Sequence, residues 1–282
     1  MAPLCAAALR ALGRTAAKVA TRADQSTPAD LGRGGLQWIP IRPTVLRGGG
    51  NRQRYKLNLL LAKDLDVKLG QGVGAALISD EPRLRAQART IVVRNDPMRG
   101  QEMLNAAISG GTTLEKQAAI AAIGASEGAA ADAALADLVA SMTAGTLPPA
   151  LAIDVIDAVA TRPKLKDQAA AWSSNLTAND KLGTWLLTLE GGDVERGRQV
   201  VNFNSAAACL RCHMVEGTGG HAAPSLAGVA NRYDRRGMLL SIVEPNAQVA
   251  QGFGPISSMP AMGTVLTPRE VRDVVEYLGT LK

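Results

Sequence analysis

Residues 209–213 read Cys-Leu-Arg-Cys-His, and this pentapeptide constrains the fold more than any other stretch of the chain. Two thiols three positions apart lie on one turn of chain. Each can form a thioether to one of the two vinyl groups of a single porphyrin. The histidine after the second cysteine is then held beneath an iron, with its neutral ring nitrogen as an axial ligand. Two rival readings use the same cysteines. A structural zinc site wants four nitrogen or sulfur ligands, and the chain adds only Cys5 and His221. A thioredoxin-like dithiol wants a βαβ setting, whereas the flanks here carry helical signals.

Composition points the same way. Hydrophobic residues make up 46% of the 282, much of it alanine, and aromatics only 3%. Such a chain packs helices closely and lacks the β-branched and aromatic content that sheets favour. With two of three cysteines given to the pentapeptide, there is no disulfide framework.

The net charge of +6 is unevenly placed. Residues 1–60 hold ten Lys/Arg against two Asp/Glu, while residues 191–282 hold nine against eight. A basic arm can bind nucleic acid or anionic lipid. Little aromatic interleaving is present to stack bases, so a solvated face and no nucleic-acid partner are expected.

No apolar run approaches the roughly 20 residues of a membrane span. The start, Met1-Ala2-Pro3-Leu4-Cys5, lacks the charged n-region of a secretory signal, and Arg10 cuts short the apolar stretch after it. Arg10, Arg14, Lys18 and Arg22 lie four apart on one helical stripe. They suit a transit peptide or, as the preferred reading, the exposed face of a helix whose apolar side is Leu4, Leu12 and Val19.

Taken in order, residues 1–22 read as a helix and residues 24–52 as a Gly-, Pro- and Arg-rich connector. Helical patterns follow over residues 53–65 and from Pro82 to about Val93. Asp96-Pro97 opens another, and Thr112-x-x-Glu115 is a capping box. Residues 127–143, a segment after Pro148-Pro149, and residues 166–176 and 178–189 complete the series. Short helices joined by Gly/Pro turns suggest a HEAT-like helical solenoid, with an irregular bundle as the alternative. Gly191-Gly192 marks a boundary. The expected domains are therefore 1–52, 53–190 and 191–282. Within the last, Asp193 caps a helix, residues 217–220 form a loop, and residues 235–243 form a short helix. Thr267-Pro268-Arg269-Glu270 caps a final helix with Val271, Val274, Val275, Leu278 and Leu281 on one face.

A second axial ligand would decide the chemistry. Met214 adjoins His213 and cannot cross to the opposite face. Met238 falls in a helix, as core filler. His221 sits in a Gly-rich loop only eight residues on. Met259 lies 46 residues after His213, ample chain to wrap a porphyrin, and Pro260 biases it toward extended geometry. Met262 is the runner-up.

At these residues the segment 191–282 resembles the class I cytochrome c domain. The likeness rests on the Gly197 helix, Cys209-x-x-Cys212-His213, Pro224-x-Leu226, Met259-Pro260 and the Tyr277-Leu278 helix. It implies one covalent haem c, bound by Cys209 and Cys212 with His213 and Met259 on the iron. It further implies that the Pro224 carbonyl accepts from His213, with Leu226 part of the haem-binding element. The chain departs from the family at Val201, where an aromatic is common, and at Ala223, where glycine is.

More broadly, residues 80–282 resemble bacterial HEAT-repeat proteins that end in a cytochrome c domain, many of them parts of membrane-bound PQQ-type sugar dehydrogenases. That resemblance implies electron transfer with a redox partner protein, a dehydrogenase or a respiratory acceptor, and membrane association only through such partners. It implies a periplasmic site, with the export signal supplied upstream or on another subunit. On its own the chain is expected to be no enzyme. A haem sensor or haem enzyme with an open sixth site, and a helical scaffold with a structural haem, are the alternatives.

Overall fold

In the computed structural model, residues 70–282 are described, so the expected elements over 1–22, 24–52 and 53–65 lie outside the described residues. The chain divides into two compact units, Met1–Gly100 and Gln101–Lys282. In the first, α1 (Gly70–Leu77) packs on α2 (Pro82–Asn95) through Val73, Ala76 and Ala88, and Pro82 stands in the first turn of α2.

The second unit is all-α apart from one small hairpin. Helix α3 (Pro97–Gly110) begins where proline's fixed φ suits a first turn, and the Asp96 carboxylate accepts the Arg99 N–H at 3.2 Å. Helix α4 (Thr113–Gly124) carries the full Thr112/Glu115 capping box. Then come α5 (Ala129–Thr143), α6 (Ala152–Ala158) and α7 (Pro163–Thr177). Each packs on its sequence neighbour, α4 also packs on α6, and α5 on α7. Leu135, Leu138, Val139, Met142, Val155 and Val159 fill the seam.

Three local expectations change. Residues 178–189 are no α-helix. Asp180 turns its carboxylate onto the Leu182 N–H at 2.9 Å, a local bond that competes with a helical ladder. Gly183 then sits at a positive φ, and only a 3-10 run, Gly183–Thr188, follows. The helix expected over residues 166–176 starts earlier, with Pro163 in the first turn of α7. The loop over 217–220 is partly ordered as a hairpin, β1 (Met214–Val215) pairing with β2 (Thr218–Gly219), Met214 opposite Gly219.

The C-terminal part is built on a crossing of α8 (Val194–Phe203) with α11 (Pro268–Leu278). Asp193 caps α8 by accepting the Arg196 N–H, and the Thr267/Glu270 capping box starts α11. At the crossing, a Cβ on Gly197 would run into the Asp273 carbonyl and the Tyr277 side chain. Glycine lets the two backbones approach. Val271, Val274, Val275 and Leu278 enter a core shared with Val201, Val215, Met238, Leu239, Ile242 and Leu266. Each such side chain contributes about 1.5–3 kcal/mol when fully buried. Helices α9 (Val229–Arg232) and α10 (Arg235–Val243) close this core. It also takes in Leu182, with Trp185, Leu186 and Leu189 packed against it, so the core reaches back beyond Gly191.

Helix α11 is buried on its polar side as well. Arg272 is 1% exposed and donates through Nη1 to Asp154 Oδ2 on α6 at 2.7 Å; Asp154 is also 1% exposed. Arg269 Nη2 stands 3.3 Å from the other Asp154 oxygen, and Arg269 Nε binds Asp157. From α4, the Gln117 amide donates to the carbonyls of Ala150 (3.0 Å) and Gly191 (2.7 Å). The helical layer and the C-terminal domain thus meet across buried, directional contacts.

Candidate functional site

The attachment segment is fixed at its entry by Asn204, just past α8. Its Oδ1 accepts the N–H groups of Ala206 and Ala207, both at 3.0 Å, and its Nδ2 donates to Glu270 at 3.2 Å. One asparagine therefore ties the incoming loop to the start of α11. Ala208 follows in the left-handed region at φ 44°, a conformation that costs an L-residue about 1–2 kcal/mol. It aims the chain into the 3-10 turn Cys209–Arg211, and the His213 N–H then closes on the Cys209 carbonyl at 2.9 Å. Both thiols thus belong to one tight turn. Cys209 is half-buried against the core and Cys212 is exposed. Burial pushes the Cys209 thiol up from its ordinary range, which keeps it protonated at neutral pH.

The hairpin folds the following chain back along the attachment turn. Gly220 N–H bonds to Leu210 O (2.9 Å), Ala223 N–H to Cys212 O (3.0 Å) and Leu226 N–H to Met214 O (2.9 Å). These bonds bring the Pro224 carbonyl to 2.7 Å from His213 Nδ1. A carbonyl can only accept, so Nδ1 carries the hydrogen and Nε2 keeps a free lone pair. A metal-binding histidine needs this tautomer, with the ring orientation fixed from behind.

Met259 is half-buried on the loop before α11 and packs at the edge of the core. Its N–H bonds to Ser257 Oγ at 3.1 Å, and Ser257 N–H bonds to Asn246 Oδ1 at 2.8 Å. Met262 is 6% exposed, inside the core, at the start of the 3-10 turn Met262–Thr264. Met238 is 4% exposed within α10. His221 is exposed and Met214 half-buried. Leu226 packs on the core. No formal charge occurs over residues 217–231 or 245–268, where Phe253 and Ile256 stand exposed.

This donor set fits haem c. It holds two thiols on one turn, an imidazole with Nε2 free, a thioether on a separate loop, and uncharged apolar surroundings. Among the described residues, no cluster of three or more His, Cys, Asp or Glu side chains could hold a metal ion by itself. Asn204 escaped the sequence reading. Its only signal was an asparagine just after a helix pattern, a common turn residue.

Comparison with protein families agrees with this geometry. The family model described as Cytochrome c matches residues 194–282. No curated protein and no solved structure matches the chain. Residues 194–282 are a cytochrome c domain, the site of a covalently bound haem c, and the described residues before it are mostly helical.

Proposed function

We propose that the chain is a one-haem c-type cytochrome that passes single electrons from a dehydrogenase partner, or from a dehydrogenase domain of a larger protein, to a respiratory acceptor. The observation that carries this reading is the 2.7 Å approach of Pro224 O to His213 Nδ1 beside the two thiols. When bound, haem c supplies a reversible one-electron couple. The chain's own residues do the rest. Cys209 and Cys212 tether the group, and His213 presents Nε2 to it. Pro224 O fixes the ring and raises its basicity. Met259 would supply a second, soft thioether donor, a pairing that favours electron transfer over ligand chemistry and a higher potential than a second histidine.

Helices α3 to α7 are read as HEAT-like repeats that hold the cytochrome domain beside its donor. The packing of α4 on α6 and α5 on α7 supports that reading. Maturation outside the cytoplasm, in the periplasm, follows from the attachment chemistry of the resembled family. Among the described residues no helix is long and apolar enough to cross a membrane.

The test is the full chain fused to a cleavable export signal and made with a haem-attachment system. The oxidised protein should show the far-red methionine–iron charge-transfer band, refuse carbon monoxide when reduced, and give a reversible one-electron wave. Ready binding of carbon monoxide with no such band refutes the electron-transfer reading in favour of an open sixth site.

A further inference from the structure

The family match begins at residue 194, yet the segment before it is built into the C-terminal domain. Its start is held by Asp180, whose two carboxylate oxygens lie 2.9 and 2.7 Å from Arg236 Nη2 on α10. Its end is held by Arg235, which donates through Nε to Leu189 O at 2.7 Å and through Nη2 to Glu276 at 2.6 Å. Between these points Leu182 is 3% exposed in the core, and Thr188 is fully buried with its hydroxyl on the Trp185 carbonyl at 2.7 Å. The segment is therefore a clamped strap.

The strap carries Trp185. A Cβ placed on Gly263 would fall 2.5 Å from Trp185 Cζ2, 3.1 Å from Cε2 and 3.2 Å from Cη2. The benzene edge of the indole thus stands against the Gly263 backbone, where an alanine methyl would collide with the ring. Gly263 follows the buried Met262 inside the 3-10 turn and stands four residues after Met259. An aromatic ring backed by a rigid strap is a firm surface, with a large contact area and few torsions to lose.

We propose that Trp185 is a positioning residue for the methionine loop: by bearing on Gly263 it holds the turn that seats Met259, so a strap outside the family-matched region controls the sixth donor. The inference rests on the reading of Met259 as that donor. It acts through Gly263 and the buried Met262. It also means that the haem domain, to function with a stable sixth donor, must begin near Asp180 rather than at Gly191.

The experiment uses the full chain carrying haem and titrates imidazole, which displaces a loosely held methionine. Apparent imidazole affinity scales with the fraction of loop that is open. For Trp185→Ala the imidazole Kd should fall about tenfold, the far-red band should weaken, and the potential should drop as methionine is lost. Trp185→Phe, which keeps a flat ring, should stay within about threefold of the unchanged protein. Gly263→Ala keeps the indole but forces it off the turn, and should tighten imidazole as Trp185→Ala does; it carries the test if Trp185→Ala fails to fold. Unchanged imidazole affinity in both Trp185→Ala and Gly263→Ala overturns the proposal. So does an affinity that follows melting temperature rather than ring contact across the three variants. If the unchanged protein lacks the far-red band, the Met259 reading fails and this inference falls with it. A normal band with unresponsive variants removes the inference alone.

Discussion

Replacing Asp154 by alanine tests the joint between the helical layer and the cytochrome domain. Asp154 and Arg272 are each 1% exposed, and their contact is 2.7 Å. Removing one partner of such a pair strands the other charge, at a cost of about 3–5 kcal/mol. The surroundings set where in that range the loss falls. Arg272 Nε has no hydrogen-bond partner, and the nearest remaining carboxylate, Asp273 Oδ1, is 4.0 Å away. Asp273 is already committed to Arg196 Nε at 2.7 Å and to the Asp193 N–H at 2.8 Å. It can offset part of the stranded charge, not all of it, so the lower end, about 3 kcal/mol, is expected. The assay is urea unfolding followed by circular dichroism, with stability taken from midpoint and slope. The double variant Asp154→Leu with Arg272→Met removes both charges and should recover most of the loss, or exceed the original stability. A loss below about 1 kcal/mol in Asp154→Ala would refute the buried-charge reasoning, because an exposed pair costs no more than that.

Other outcomes follow from the same geometry. Cys209→Ala with Cys212→Ala should abolish covalent haem, read as a missing haem stain on a denaturing gel. Met259→Ala should let the reduced protein bind carbon monoxide. Met262→Ala should instead cost about 2–5 kcal/mol of folding stability while leaving the far-red band, since Met262 is a core side chain; loss of the band in Met262→Ala would reassign the ligand. Before haem attachment, iodoacetamide should label the exposed Cys212 faster than Cys209. Burial holds the Cys209 thiol protonated, so its contribution to stability is full below the ordinary thiol range and lost as pH rises through the raised value. The labelling gap should narrow over that same rise. Tyr277→Phe should be neutral or stabilising by up to about 1 kcal/mol, because the buried hydroxyl has no hydrogen-bond partner among the protein groups.

Much of this was legible in the sequence because it is local. A capping box, a proline in a first turn and a Cys-x-x-Cys-His each need only a few adjacent residues, so α3, α4 and α11 begin where their signals stand. The apolar face of α11 was readable for the same reason. Its other face was not. Arg272 looks like a solvated residue until α6 brings Asp154 to it from 118 positions away in the chain, and Asp273 does until α8 brings Arg196 to it. Residues 178–189 misled because Leu182, Trp185, Leu186 and Leu189 fit a helical period, while one Asx bond and one positive φ at Gly183 decided against it. The resting place of Trp185 on Gly263 depends on how two distant turns meet, which no local pattern encodes.

The bond from Gln117 to Gly191 and the buried pair on α11 also bear on how a partner must arrive. Many electron carriers dangle on a linker and swing between donor and acceptor. Here Gly191 looks like the pivot of such an arm, two glycines between two helical regions, but its carbonyl is taken by the Gln117 amide at 2.7 Å. A Cβ on Gly191 would also press into Ala150. The pivot is locked. A redox partner therefore meets a cytochrome domain whose angle to α4 and α6 is set by those contacts, not one that swings on a hinge at Gly191.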